Sequence, residues 1–173
     1  MGIILLCGLN GSGKTTLGEK LAEILKYRFL NDEEYYFLQS EIPFSQSRTE
    51  AQAKEYILSC LNKYKNNVMV SSRGDMGREI NVHYDHVVYL SAPAELRMSR
   101  IEKRDLERFG KRVCPGGDMY EQQKAFHDFA ASRTEEKTEK WLNTISCPVT
   151  RLDGKCDISD NIVFLTSVIK QTT

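Results

Sequence analysis

The stretch Gly8-Leu9-Asn10-Gly11-Ser12-Gly13-Lys14-Thr15 fits G-x-x-x-x-G-K-[ST], the pattern of a phosphate-wrapping loop. Glycines there let the backbone turn several N–H groups toward one anion, with the positive end of a helix behind them. In that reading Gly8, Asn10, Gly11, Ser12, Gly13, Lys14, Thr15 and Thr16 surround the phosphates of a nucleoside triphosphate. Lys14 reaches the β- and γ-phosphates, and the Thr15 hydroxyl ligates Mg²⁺. The flanks carry more weight than the pattern alone. Ile3-Ile4-Leu5-Leu6-Cys7 is an unbroken apolar run, as in a parallel strand buried on both faces. After the loop, Leu17, Leu21, Ile24 and Leu25 recur at helical spacing. Strand, glycine loop and helix thus follow in the order a chance glycine-rich turn would not supply.

Working outward, four more apolar runs read as strands: Tyr27–Leu30, Val68–Ser71, Val87–Leu90 and Val149–Leu152. Helical patterns lie between and after them. Ala53, Ile57, Cys60, Leu61 and Tyr64 form one face, Leu96, Arg100, Ile101 and Arg104 a mixed one, and Ile162, Leu165, Val168 and Ile169 a third. Alternating strands and helices predict right-handed crossovers and a parallel α/β sheet, with ligands at the carboxyl ends of the strands. The chain of 173 residues suits one domain.

Composition narrows the partners. Lys plus Arg number 24 and Asp plus Glu number 24, so no overall field draws the chain to nucleic acid or to an anionic membrane. No apolar run approaches the roughly 20 residues of a membrane span, and neither a signal peptide nor a myristoylation motif fits the start. The five cysteines are scattered without a C-x-x-C pair, which argues against zinc or a redox motif and for a reduced, cytoplasmic protein. Cys7 and Cys147 read as small core hydrophobes in strands. His83, His86 and His127 share no metal-ligand spacing.

The strand ends then supply candidates. Asp32 follows the second strand and faces the phosphates in this reading, either holding Mg²⁺ or accepting the proton of an attacking hydroxyl. An acidic first helical turn explains it without function. After the third strand comes Ser71-Ser72-Arg73, with no carboxylate until Asp75. Arg73 either meets an anion over the cleft or pairs with Asp75 or Glu79. The segment Arg97 to Arg112 is the most basic, and it runs into the glycine- and proline-marked loop Phe109–Asp118. It reads as a mobile flap that lends Arg104, Arg108 and Arg112 to the transferring phosphoryl group, or else as a solvated helix face. Gly154, after the last strand, either allows close approach of an adenine or makes an ordinary turn. Tyr27, Phe29, Tyr35, Tyr36 and Phe37 cluster around Asp32, as core or as a stacking surface.

On these residues the chain resembles a P-loop small-molecule or nucleotide kinase of the adenylate kinase and shikimate/gluconate kinase type. The resemblance rests on Gly8–Thr16, on Asp32, on Ser72-Arg73, on the Arg97–Arg112 segment and on Leu152-Asp153-Gly154. It implies a three-layer P-loop NTPase fold whose five parallel strands lie in the order 2-3-1-4-5. It also implies ATP as donor, Mg²⁺, an arginine-bearing lid over residues 104–118, and an acceptor-binding segment over 35–64, all in one domain spanning 1–173. Shikimate and gluconate kinases share the Asp after the second strand. Nucleotide kinases more often carry an acid before the arginine after the third, where Ser72 stands here.

Two functions follow. One is transfer of the ATP γ-phosphate to a small acceptor: a nucleotide, a nucleoside or a small hydroxy compound. The other is a nucleotide-binding regulatory protein or slow ATPase with no such acceptor. A GTPase fits less well, since Asn62-Lys63 lacks the Asp two residues on, and the chain is short for an AAA+ machine. Oligomeric state is left open.

Overall fold

The computed structural model describes residues 2–172, with side chains through Ile169. Five strands form one parallel sheet: β1 (Gly2–Cys7), β2 (Arg28–Leu30), β3 (Asn66–Ser71), β4 (Tyr84–Ser91) and β5 (Val149–Asp153). Their spatial order is β2-β3-β1-β4-β5, as the resemblance implied. All six residues of β1 are buried, because it lies between β3 and β4 with helices on both sides. Side chains alternate across a strand, so Ile3, Leu5 and Cys7 enter one core and Ile4 and Leu6 the other.

The helices are α1 (Lys14–Leu25), α2 (Asp32–Tyr36), α3 (Glu50–Lys63), α4 (Arg78–Asn81), α5 (Ala94–Phe109), α6 (Tyr120–Ser132), α7 (Glu136–Leu142) and α8 (Ile158–Thr172). On one face of the sheet, Ala53, Ile57 and Leu61 of α3 and Trp141 of α7 pack against Leu5, Met69 and Val87. On the other, Leu17 and Leu21 of α1 and Leu165 and Ile169 of α8 pack against Leu6, Val70 and Val88. The result is a three-layer sandwich whose strands all end at one edge, where α5 and α6 lie against each other.

The apolar spacing located the elements but not their limits. Every strand except β2 extends beyond its apolar run, and β2 begins at Arg28, with Tyr27 outside it. Ile24, read as part of the core face of α1, is 50% exposed. It sits near the helix end, where Lys26 in the left-handed conformation turns the chain away. Cys147 lies outside β5, although burial pushes its thiol up, and the thiol of Cys7 in β1 is pushed up to about 12 for the same reason. The stretch between Asp118 and Val149, which offered no strand, holds α6 and α7.

Candidate nucleotide and acceptor site

The glycine loop closes over the end of β1 and opens α1. Gly13, at φ +102°, is the residue before the helix, and Gly11, at φ +81°, would place a Cβ 2.3 Å from the carbonyl oxygen of Arg97. Both positions therefore require glycine. Beneath the loop, α5 supplies two arginines that brace it. The buried Arg97 donates to the carbonyl of Asn10 at 3.1 Å, and Arg100 donates to Ser12 O at 3.3 Å and Gly154 O at 2.9 Å. The basic face of α5 is thus partly structural: Arg97, Ile101 and Asp105, one turn apart, are its buried residues.

Above the loop lies a cavity of about 850 Å³. It is lined on one side by Asn10, Gly11, Ser12, Gly13, Lys14, Thr15 and Thr16, and on the other by Asp32, Ser72, Arg73 and Arg104. Two polar groups of the loop are open there. The Ser12 hydroxyl is buried without a hydrogen-bond partner, and among the described residues the buried Lys14 ammonium makes no hydrogen bond or ion pair. Burial pulls the Lys14 pKa down, against the attraction of Asp32 and with the repulsion of Arg133 and Arg104. Burial pushes the Asp32 carboxyl up, and Lys14 opposes it. Both directions reflect the loss of solvent around the two groups.

Asp32 is the first residue of α2, and the cap of that helix is Asn31, whose side chain accepts from the Glu33 N–H at 3.2 Å. Asp32 therefore has both attributes considered from the sequence, a place in an acidic first turn and a place in the cavity. Asp75 does not fold back to the site. Its carboxylate accepts from Gly77 N–H and from Asn81 Nδ2, and it is absent from the cavity wall. Nor does Arg73 pair with Asp75 or Glu79. Glu79 is held by Lys54, and the Arg73 guanidinium has no carboxylate partner among the described residues.

The flap arginines divide. Arg104 lines the cavity and is forked onto Asp105, whose second oxygen accepts from His127 Nε2 at 2.8 Å, so this histidine ties α6 to α5. Arg108 and Arg112 do not line the cavity. Arg108 makes a two-point contact with Glu33 and Arg112 with Asp118, each a carboxylate that fits the guanidinium fork as a phosphate would. The expected loop Phe109–Asp118 is more ordered than its glycines suggest: α5 runs through Phe109, a 3-10 turn covers Gly110–Val113, and Met119 is fully buried with its N–H on Arg112 O.

Gly154 lines the cavity, but its need for glycine has a different origin from base approach. A Cβ there would stand 2.8 Å from both Ser12 O and Ser91 O, so the residue lets β5 close against the phosphate loop. Of the aromatic cluster, Tyr35 is core, with its hydroxyl on Val70 O at 2.6 Å, and Tyr27 and Phe29 belong to the opposite face of the sheet. Only Tyr36 and Phe37 reach the cavity.

A family model described as AAA domain matches residues 4–125, about two thirds of the chain and the whole phosphate loop. The chain belongs to this AAA domain family. Its length had set it apart from the large AAA+ machines, and what the match covers is the domain from β1 into α6. The uncharacterized protein YqaC of Bacillus subtilis (strain 168) is 26% identical over 165 residues, which cover 91% of each chain. Among solved structures, a shikimate kinase from Acinetobacter baumannii in complex with shikimate is similar at TM-score 0.60 and 17% identity, over 100% of this chain and 95% of that one. A shikimate kinase from Bacteroides thetaiotaomicron is similar at TM-score 0.53 and 18% identity, over 98% of each. A sugar kinase from Janibacter sp. HTCC2649 is similar at TM-score 0.55 and 14% identity, over 98% of this chain and 95% of that one. The fold is that of the P-loop small-molecule kinases.

Sequence reasoning missed Arg133. It follows α6 and donates to Asn10 Oδ1 at 3.1 Å and to Ser72 O at 2.8 Å, joining the phosphate loop to the end of β3. Burial, then the nearby Arg73 and Arg97, lower its pKa. Gln123, Phe126 and Phe129 of α6 and Phe44 and Arg48 of the segment before α3 were likewise not singled out. The spacing of Met119, Gln123, Phe126 and Ala130 was the available signal for α6.

Proposed function

We propose that this chain is an ATP-dependent phosphotransferase that moves the γ-phosphoryl group to a hydroxyl of a small acceptor. One observation carries the reading. A buried, unpaired lysine of a phosphate loop and a desolvated aspartate from the next strand face the same cavity, with three arginines (Arg73, Arg104 and Arg133) around them. The triphosphate lies along Asn10–Thr16, with Lys14 and the Ser12 hydroxyl donating to it. The Thr15 hydroxyl would hold Mg²⁺ directly, and Asp32 would hold it through water, which leaves its carboxylate able to take a proton. Among the described residues no three His, Cys, Asp or Glu gather around one point, so remaining ligands come from phosphate and water. When bound, that ion neutralises charge on the β- and γ-oxygens.

The acceptor oxygen forms its bond to the γ-phosphorus as the bond to the β,γ-bridging oxygen breaks, and ADP leaves with that electron pair. The hydroxyl proton passes to Asp32, whose burial makes it a better proton acceptor than an exposed carboxylate. Arg104 stabilises the charge of the transferring group, and Arg73 is placed for an anionic group on the acceptor. Arg108 and Arg112 are lid residues in this reading. Their pairs with Glu33 and Asp118 are exposed, so an entering triphosphate can replace those partners at little cost. The same reading makes residues 1–173 one kinase domain, with 35–64 as acceptor segment and 104–118 as lid. It draws ATP from the cytoplasmic pool, and no described helix is long and apolar enough to cross a membrane.

The test is ADP release with Mg²⁺ across a panel of nucleosides, nucleotides, sugar acids and small hydroxy compounds. Stimulation by one of them, lost in a folded Lys14→Ala variant, supports the reading. ATP binding with no acceptor-dependent turnover favours a slow ATPase or regulatory protein, and unchanged turnover in Lys14→Ala rejects the assignment of the loop.

A further inference from the structure

Beyond the phosphate loop, the cavity continues into a region lined by aromatic side chains. Its wall contains Tyr36, Phe37, Phe44 and Phe126, with Gln123 among them. Two independent features stand out. Phe44 is one of two non-glycine residues with positive φ in the described chain, at +64°. A side chain rarely adopts that conformation, and strain of this kind persists where the surroundings impose it, often at binding sites. Here the surroundings are specific. Gln122 Nε2 donates to Pro43 O at 3.2 Å, the Phe44 ring meets Phe37 edge-on at 5.1 Å, and the Arg108 guanidinium lies 5.2 Å from its centroid. The ring is held at the cavity rather than released to relax the backbone.

The second feature is Gln123. The residue is only 5% exposed, lines the cavity, and among the described residues its side-chain amide has no hydrogen-bond partner in the protein. Its amide donor and acceptor are therefore open to the cavity and can pair with whatever enters it. Tyr35, by contrast, spends its hydroxyl on Val70 O, as a structural polar group does.

Aromatic faces beside one open amide suit a planar group with alternating donors and acceptors on its edge. A saturated hydroxy acid presents polar faces that would lose hydration against Phe37, Phe44 and Phe126. A nucleobase stacks on aromatic rings and offers the amide a matching edge. We infer that the phosphoryl acceptor of this chain carries a nucleobase, seated by Phe44 and read by Gln123, with its sugar hydroxyl toward Asp32. The inference rests on the acceptor end of the kinase reading above. A nucleoside and its 5′-monophosphate share this chemistry. The unpaired Arg73 is the residue that separates them, since only the monophosphate gives it a ligand.

The donor site is first filled with a non-hydrolysable ATP analogue and Mg²⁺. Calorimetry then measures binding of the common nucleosides, their 5′-monophosphates, shikimate and gluconate. A base-bearing compound binds, and Gln123→Leu weakens it by about 10- to 100-fold, the range of a lost two-point base contact, with the ATP-analogue affinity kept within about twofold. Phe44→Ala, a second variant in case the first misfolds, weakens it by about tenfold or more. Arg73→Ala affects the monophosphate and spares the nucleoside. Binding of shikimate or gluconate with none of the bases overturns the inference, as does base binding indifferent to both variants, or no binding by any compound. A base-bearing compound that binds through Gln123 but accepts no phosphoryl group upholds the inference and sinks the kinase reading. Phosphorylation of a base-free acceptor alone does the reverse.

Discussion

Replacing Gly154 with alanine separates two explanations of that glycine. If it exists to let an adenine approach, a methyl group leaves the free protein undisturbed and lowers only ATP affinity. The packing says otherwise. The new Cβ stands 2.8 Å from two backbone oxygens, Ser12 O and Ser91 O, and 3.0 Å from the Ala92 Cβ. None of these is the flexible tip of a side chain. The Gly154 N–H is also bonded to Ser91 O at 2.7 Å, so separating the segments stretches a hydrogen bond. Overpacking of this kind costs about 1–3 kcal/mol. Stiffening the unfolded chain returns about 0.4–1 kcal/mol. The net loss is on the order of 1–2 kcal/mol, or a fall in Tm of about 2–8 °C for a chain of this size. Thermal and urea unfolding without nucleotide measure it, and ATP affinity should fall as well because Ser12 is displaced. An apo Tm within about 1 °C of the parent, with ATP affinity alone reduced, would refute the packing argument.

Other perturbations address the remaining groups. Asp32→Asn reports on desolvation: since the folded carboxyl is pushed above its ordinary value of 3.8, its stabilising share is present below that pH and fades as pH rises through the folded pKa. The stability of the parent relative to Asp32→Asn should therefore fall as pH rises above about 4, and a constant difference contradicts the shift. Phe44→Gly should relieve backbone strain worth about 1–2 kcal/mol, offsetting much of the lost ring packing, so its Tm should lie above that of Phe44→Ala. The reverse order removes the case for strain. Thiol labelling at pH 8 should modify exposed Cys156 first and leave Cys7, buried and pushed up to about 12, unmodified in the folded protein. Because Cys156 lines the cavity, saturating ATP should slow its labelling, and unchanged kinetics would place the nucleotide elsewhere.

Local spacing made the phosphate loop legible. Gly8 to Thr15 is contiguous, and its strand and helix are marked by neighbouring residues, so no distant contact was needed to read it. Asp32 was legible for a related reason: in a parallel sheet, position after a strand determines the edge on which a residue emerges. Apolar periodicity likewise indicated the alternation of layers, although it overran β2 at Tyr27 and gave Ile24 a burial it lacks.

What the tertiary structure decided is which charges meet. Along the chain, Arg104, Arg108 and Arg112 are equivalent members of one basic run, and nothing local distinguishes phosphate from carboxylate as their partner. Folding brings Glu33, 75 residues away, to Arg108 and leaves Arg104 at the cavity. It brings Arg133 to Asn10 across 123 residues, sets Gly154 against Ser12, and places the open amide of Gln123 beside the strained Phe44. Those juxtapositions depend on how α5 and α6 lie over the strand ends. A motif is written in adjacent residues, so the phosphate loop with its flanking strand and helix could be read along the chain. A pocket is assembled from elements far apart in the chain, so the cavity wall beyond the loop exists only once the helices have packed.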